Sequence, residues 1–166
     1  MAHPRSSLAA ALCLSGAADL SNFFAAKNAA KLERLQITHV LVCAAELPHA
    51  LATRAPHLVY SSLDLADNPS SMLPISEALA AIDAAEAAGG RVLVHCAAGG
   101  SRSASCVCAW LMRERLCRYD EALAFLRVRR WVAPNGGFED QLRAYGSTLM
   151  GVPSSRHDQE QEVDLR

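Results

Sequence analysis

The stretch Val94-His95-Cys96-Ala97-Ala98-Gly99-Gly100-Ser101-Arg102-Ser103 decides how this chain is read. Arg91-Val92-Leu93-Val94 ahead of it predicts a short buried strand, and Ser103 to Arg115 behind it is apolar on most faces, which predicts a buried helix. A strand, a loop of small residues and a helix in that order let successive backbone N–H groups converge on an anion, with the helix N-terminus behind them. Gly99 and Gly100 allow positive φ and place no side chain in the way of a bound anion. Arg102 can add a bidentate, permanently charged clamp. The lysine of a nucleotide-binding loop is missing, and a thiol, Cys96, stands at the loop's base instead. The positive surroundings predict that Cys96 is held as the thiolate, the nucleophilic form. A thiolate inside an oxyanion cradle is a nucleophile aimed at phosphorus.

Outward from the loop, the chain alternates helices with buried strands. Asn22 to Gln36 reads as an amphipathic helix, Ile37 to Cys43 as a buried strand, and Leu58 to Leu65 as a second strand broken by Asp67-Asn68-Pro69-Ser70. Leu73 to Ala88 reads as an alanine-rich helix ended by Gly89-Gly90. Further helices are expected over Asp120 to Arg129 and Gly137 to Met150. This pattern predicts an α/β layer sandwich with a central, mostly parallel sheet flanked by helices. No repeat or linker divides it, so residues 1–151 are read as one domain and 152–166 as a polar, disordered tail.

Composition narrows the function classes. Of 166 residues, 51% are hydrophobic and 20% charged, which excludes a disordered chain. Sixteen Lys and Arg against 17 Asp and Glu leave no global field for nucleic acid, so no nucleic-acid partner is expected. No apolar run approaches the ~20 residues of a membrane span. The six cysteines contain no C-x-x-C pair, which argues against a zinc site. Cys13, Cys106, Cys108 and Cys117 are read as buried free thiols in a reducing compartment, cytoplasmic or nuclear. Arg5 followed by Leu8 to Leu14 and Ser15-Gly16-Ala17 has the layout of a weak signal peptide but reads equally well as a first strand.

His95-Cys96-x5-Arg102-Ser103 resembles the signature of the cysteine-dependent protein phosphatases, and Ala97-Ala98-Gly99-x-Ser101-Arg102-Ser103-Ala104 resembles their dual-specificity branch, with a size similar to its small, atypical members. Leu12 to Asn22, Ile37 to Leu41, Ala109-Trp110-Leu111-Met112 and Pro134-Asn135-Gly136-Gly137-Phe138 are similar to further family segments. The resemblance implies a cysteinyl-phosphate mechanism that needs no metal or cofactor. Cys96 attacks phosphorus, while Arg102 and the amides of Ala97, Ala98, Gly99, Gly100, Ser101 and Arg102 hold the phosphate oxygens. Ser103 assists departure of the thiolate, and His95 orients the Cys96 region rather than acting as a base. Leu63-Asp64-Leu65-Ala66-Asp67-Asn68-Pro69 resembles the family's acid loop, with Asp67 as general acid and Asp64 as a positioning residue. Asn135 reads either as a brace of the active-site loops or as a plain turn residue. Cys43, at the end of a strand neighbouring that of Cys96, is a candidate redox partner, since some relatives pair a cysteine near this place with the nucleophile.

Two departures from the family pattern are Gly100, where relatives carry a branched aliphatic residue, and Arg130, where proline is common. Arg113, Arg115, Arg118, Arg127, Arg129 and Arg130 cluster after the loop and read either as a basic face for phosphorylated partners or as ordinary solvated helix surface. The implied activity is hydrolysis of phosphotyrosine and of phosphoserine or phosphothreonine in protein substrates. The alternatives are a catalytically weak phospho-binding scaffold and a phosphatase acting on lipid, glycan or RNA phosphates. Oligomeric state is not readable from these residues.

Overall fold

The computed structural model describes residues 23–50 and 52–151. Three parallel strands, β1 (His39–Val42), β2 (Val59–Ser62) and β3 (Val92–His95), lie side by side in the order β2-β1-β3. In the register of the sheet Val40 sits between Tyr60 and Leu93. Alternate residues serve opposite faces: Leu41, Val92 and Val94 join one apolar cluster, whereas Val40, Val42 and Leu93 join another. A sheet covered on both sides needs near-continuous apolar strands, which is what β1 and β3 supply.

The first cluster is completed by α3 (Ile75–Ala87), α4 (Arg102–Arg115), α5 (Tyr119–Arg127) and α6 (Gly136–Leu149). Eleven of the 14 residues of α4 are buried, and it touches α3, α5, α6 and β3, so it is the central helix of that layer. The opposite face is covered by the short helices α1 (Phe23–Ala26) and α2 (Ala29–Arg34) with residues around Ala55 and Leu58. The expected sandwich of helices about a parallel sheet is therefore observed.

One expected element is divided. The helix read over Asn22 to Gln36 appears as α1 and α2, because the Asn28 side chain accepts a hydrogen bond from the Lys31 amide (2.9 Å) and starts a new helix there. Other boundaries shift by at most two residues, and Leu58–Leu65 shortens to β2. Gly89 (φ +67°) ends α3 in the left-handed conformation expected of it. The family-like segment Leu12–Asn22, the signal-like layout and its first-strand alternative, Cys13 and the polar tail lie outside the described residues.

Because the strands are parallel, the segments leaving their carboxyl ends share one edge of the sheet. Residues 43–46, 63–67 and 96–101 emerge there, and the first and last flank the point where the chain turns from β1 to opposite sides of the sheet. Open α/β sheets bind ligands at such a crevice.

Candidate active site

The loop between β3 and α4 wraps around the Cys96 sulfur. Cys96 is 1% exposed, and its Sγ accepts hydrogen bonds from the Gly99 amide (3.2 Å) and the Ser103 hydroxyl (3.3 Å). Two donors on one sulfur stabilise negative charge there. Gly99 holds φ +76°, a conformation that would strain any residue with a Cβ, so glycine is what lets the amide turn inward.

Arg102 begins α4 and lies almost wholly inside the protein, its side chain 8% exposed. Its Nη1 donates to Glu46 Oε1 (2.5 Å) and to the Leu65 carbonyl (3.3 Å). Its Nε is buried without a hydrogen-bond partner among the described residues and lies 3.9 Å from Asp67 Oδ2. Burial opposes the Arg102 charge, but the Glu46 hydrogen bond and the nearby charges of Glu46, Cys96 and Asp67 outweigh it and push its pKa up. In return, the Arg102 hydrogen bond holds the Glu46 carboxyl below the usual glutamate range. Glu46 was not visible in the sequence as a site residue. It stands 56 positions from its partner, and only the parallel pairing of β1 with β3 brings them together.

Asp67 reaches this loop and Asp64 does not. Asp67 Oδ1 accepts from the Ser101 hydroxyl (2.6 Å) and from Asn135 Nδ2 (3.0 Å), which leaves Oδ2 turned towards Arg102. Asp64 is exposed and makes no hydrogen bond or ion pair among the described residues. Asn135 makes hydrogen bonds in two directions. Its Oδ1 accepts from the Phe138 amide (3.0 Å) as the N-cap of α6, while its Nδ2 holds Asp67 and its own amide donates to Ser101 Oγ (3.2 Å). The loop that carries Asp67 is fixed from below as well. Gln141 Oε1 accepts from the Leu73 amide (2.8 Å) and its Nε2 donates to the Ser71 carbonyl (2.9 Å). A Cβ at Gly137 would lie 1.7 Å from the Pro69 carbonyl oxygen, so glycine there lets the loop rest on α6. Gln141 is a second residue that sequence reading missed, since a glutamine on a helix carries no local signal of a distant loop.

His95 is wholly buried, and its Nδ1–H donates to the Cys96 carbonyl (3.4 Å), while Nε2 has no hydrogen-bond partner among the described residues. Burial lowers its pKa from the usual histidine value. The folded protein therefore binds fewer protons at this group than the unfolded chain, and stability is lost as pH falls below about 6.5. Melting temperature is expected to drop between about pH 7.5 and pH 5.5, and to drop less in His95→Asn. Equal slopes in scanning calorimetry would contradict this. Glu46 and Asp120, whose arginine partners lower their carboxyl pKa values, lose their contribution only at more acidic pH.

Cys43 follows β1 directly beside Cys96 and its amide donates to the His95 carbonyl (2.7 Å). The neighbouring Cys106 thiol and burial push its thiol well above the usual range. Burial also pushes the Cys108 thiol up to about 12. Cys117 is only half-buried, a correction to its reading as a buried thiol.

The arginines after the loop do not form one free basic face. Arg113 forks onto Asp83 (2.9 and 2.6 Å), Arg127 Nε donates to the Val132 carbonyl, and Arg115 and Arg129 lie over the Phe125 ring at 3.8 and 3.7 Å. Among the described residues no group of three or more His, Cys, Asp or Glu side chains could hold a metal ion, and no helix is long and apolar enough to cross a membrane.

Residues 20–148 match the family described as dual specificity phosphatase, catalytic domain. This chain belongs to the dual-specificity phosphatase family. It is 35% identical to human dual specificity protein phosphatase 1 over 134 residues, 79% of this chain and 36% of that protein. It is 39% identical to human protein phosphatase Slingshot homolog 3 over 142 residues, 82% of this chain and 21% of the relative. The chain thus spans about a third or less of these relatives' length. Among solved structures, human DUSP28 superposes with a TM-score of 0.71 at 30% identity, covering 78% of this chain and 87% of that one. A mouse putative dual specificity phosphatase complexed with zinc tungstate gives 0.72 at 34% identity, covering 78% and 82%. The dual-specificity phosphatase fold is thus the setting in which Cys96, Arg102 and Asp67 meet.

Proposed function

We propose that this chain is a protein phosphatase that hydrolyses phosphotyrosine and phosphoserine or phosphothreonine esters through a cysteinyl-phosphate. The observation that carries this reading is Cys96 Sγ at the floor of an amide-lined loop, with the Arg102 guanidinium beside it and the Asp67 carboxyl across the mouth. A phosphate seated in the loop accepts from the amides of residues 97–102 and from the unpartnered Nε of Arg102. Cys96 attacks phosphorus as the ester oxygen leaves with a proton from Asp67 Oδ2, the oxygen that its two hydrogen bonds leave open. In the second step water attacks the phosphorus of the cysteinyl-phosphate while Asp67 takes its proton; the P–S bond breaks, inorganic phosphate leaves, and the Ser103 hydroxyl supports the departing thiolate.

The test is phosphate release by the wild-type protein from a panel of phosphotyrosine, phosphothreonine and phosphoserine peptides, with a phosphoinositide and an RNA phosphate alongside. Release from the peptides is expected. Release from the lipid or the RNA alone would transfer the activity to a non-protein substrate, and binding without release would leave a scaffold.

Asp67→Ala is expected to lower kcat about 10²-fold on a substrate with a poor leaving group and much less on a nitrophenyl ester, whose leaving group needs no proton. Asp64→Ala should show no such leaving-group dependence, and the reverse pattern would assign the acid to Asp64.

Cys43 is proposed as a redox partner of Cys96, supported by their side-by-side positions at the ends of β1 and β3. Peroxide oxidises the Cys96 thiolate to a sulfenic acid, and the Cys43 thiol then condenses with it, forming the S–S bond and releasing water. Non-reducing peptide mapping after mild peroxide should show the linked peptides. Sulfinic acid on Cys96 without a linked peptide would exclude the pairing. A reducing compartment, cytoplasmic or nuclear, is the location in which the five free cysteines among the described residues would persist.

A further inference from the structure

The phosphate loop supplies almost no side-chain wall of its own. Ala97 and Ala98 are exposed methyl groups, and Gly99 and Gly100 have no side chain at all. The bulk beside the loop comes from elsewhere, from the segment joining α5 to α6. A Cβ built on Gly100 would lie 2.7 Å from Trp131 Cζ3, so the indole edge occupies the space that a side chain at position 100 would need. The segment is fixed there by the Ala133 amide, which donates to the Gly100 carbonyl (2.8 Å). Two residues further on, Asn135 in the same segment holds Asp67. Trp131 thus belongs to the wall that joins the phosphate loop to the acid, yet it is 75% exposed. An indole is a large apolar surface, and this one is held at its edge while most of it faces solvent.

Resting on the phosphatase reading above, we propose that Trp131 is the specificity-determining residue that favours phosphotyrosine, by giving its ring a face to stack on. A phosphotyrosine places a flat ring just outside the loop when its phosphate is seated, whereas phosphothreonine places two carbons and then backbone there. The glycine at position 100 and the tryptophan at 131 are a matched pair, since a branched residue at 100 would displace the indole. The departure from the family pattern in the loop is the space in which an aromatic wall is built.

The test compares wild type with Trp131→Ala and Trp131→Phe on matched phosphotyrosine and phosphothreonine peptides, with folding checked by melting temperature. The ratio of kcat/KM for phosphotyrosine over phosphothreonine is expected to fall about tenfold in Trp131→Ala and to be largely restored in Trp131→Phe. A second arm uses Cys96→Ser protein and reads tryptophan fluorescence. Phenyl phosphate should quench it and inorganic phosphate should not, and the quench should vanish in the Cys96→Ser, Trp131→Phe double variant, which keeps the buried Trp110. A ratio unmoved within about twofold, or equal quenching by both ligands, would overturn the stacking role. Absence of Cys96-dependent turnover of either peptide would instead overturn the phosphatase reading, with the fluorescence arm still deciding whether Trp131 meets an aryl ligand.

Discussion

Cys96→Ser is expected to lower kcat by about 10⁴–10⁶-fold on any phosphate ester, with the fold intact. The oxygen is smaller than sulfur but fits the same buried place and can accept from the Gly99 amide and the Ser103 hydroxyl. What it lacks is chemistry: a serine hydroxyl is not ionised near neutral pH, and His95, bonded to the Cys96 carbonyl, is not placed to take its proton. The loop amides and Arg102 remain, so binding of a phosphopeptide should survive while turnover is lost. Stopped assays paired with calorimetric binding measure both. Activity within tenfold of wild type would show that the sulfur is not the nucleophile.

Arg102→Ala is expected to cost about 10³–10⁵-fold in kcat, because it removes the charged donor placed beside the transferring phosphoryl group. Arg102→Lys should recover only part of this, since a point charge on a flexible stem cannot replace a planar fork. The effect on folding should be milder than the burial of Arg102 suggests. Its partners Glu46 and Asp67 have side chains 58% and 41% exposed, so both carboxylates can return to water when the guanidinium is gone. Steady-state kinetics with melting temperatures separates the two consequences. Arg102→Ala with near-normal kcat and a collapsed melting temperature would make Arg102 a structural residue.

Much of this arrangement is legible in the sequence itself. Strands buried on both faces declare themselves as apolar runs, and a loop with a thiol, two glycines and an arginine carries its chemistry in local order. Asp67 could be preferred over Asp64 only by resemblance; its bonds to Ser101 and Asn135 depend on the docking of three separate segments. Glu46, Gln141 and Trp131 escaped notice because each acts on a partner more than 25 positions away, with no periodicity to mark it. The division of the first expected helix at Asn28 had a local cue, since asparagine competes for backbone amides and favours caps over helix interiors. The arginines after the loop had two readings in sequence; in space Arg113 pairs with Asp83, Arg127 bonds the Val132 carbonyl, and Arg115 and Arg129 lie over the Phe125 ring.

The covalent intermediate tests the central claim most directly. Wild-type protein mixed rapidly with a phosphotyrosine peptide, quenched in acid within a turnover and mapped by mass spectrometry should carry phosphate on the Cys96 peptide. The amount should approach one per active site at early times and decay with the rate of the second step. Phosphate release without any phosphorylated Cys96 peptide, or with the phosphate on His95, would contradict a mechanism built on this sulfur.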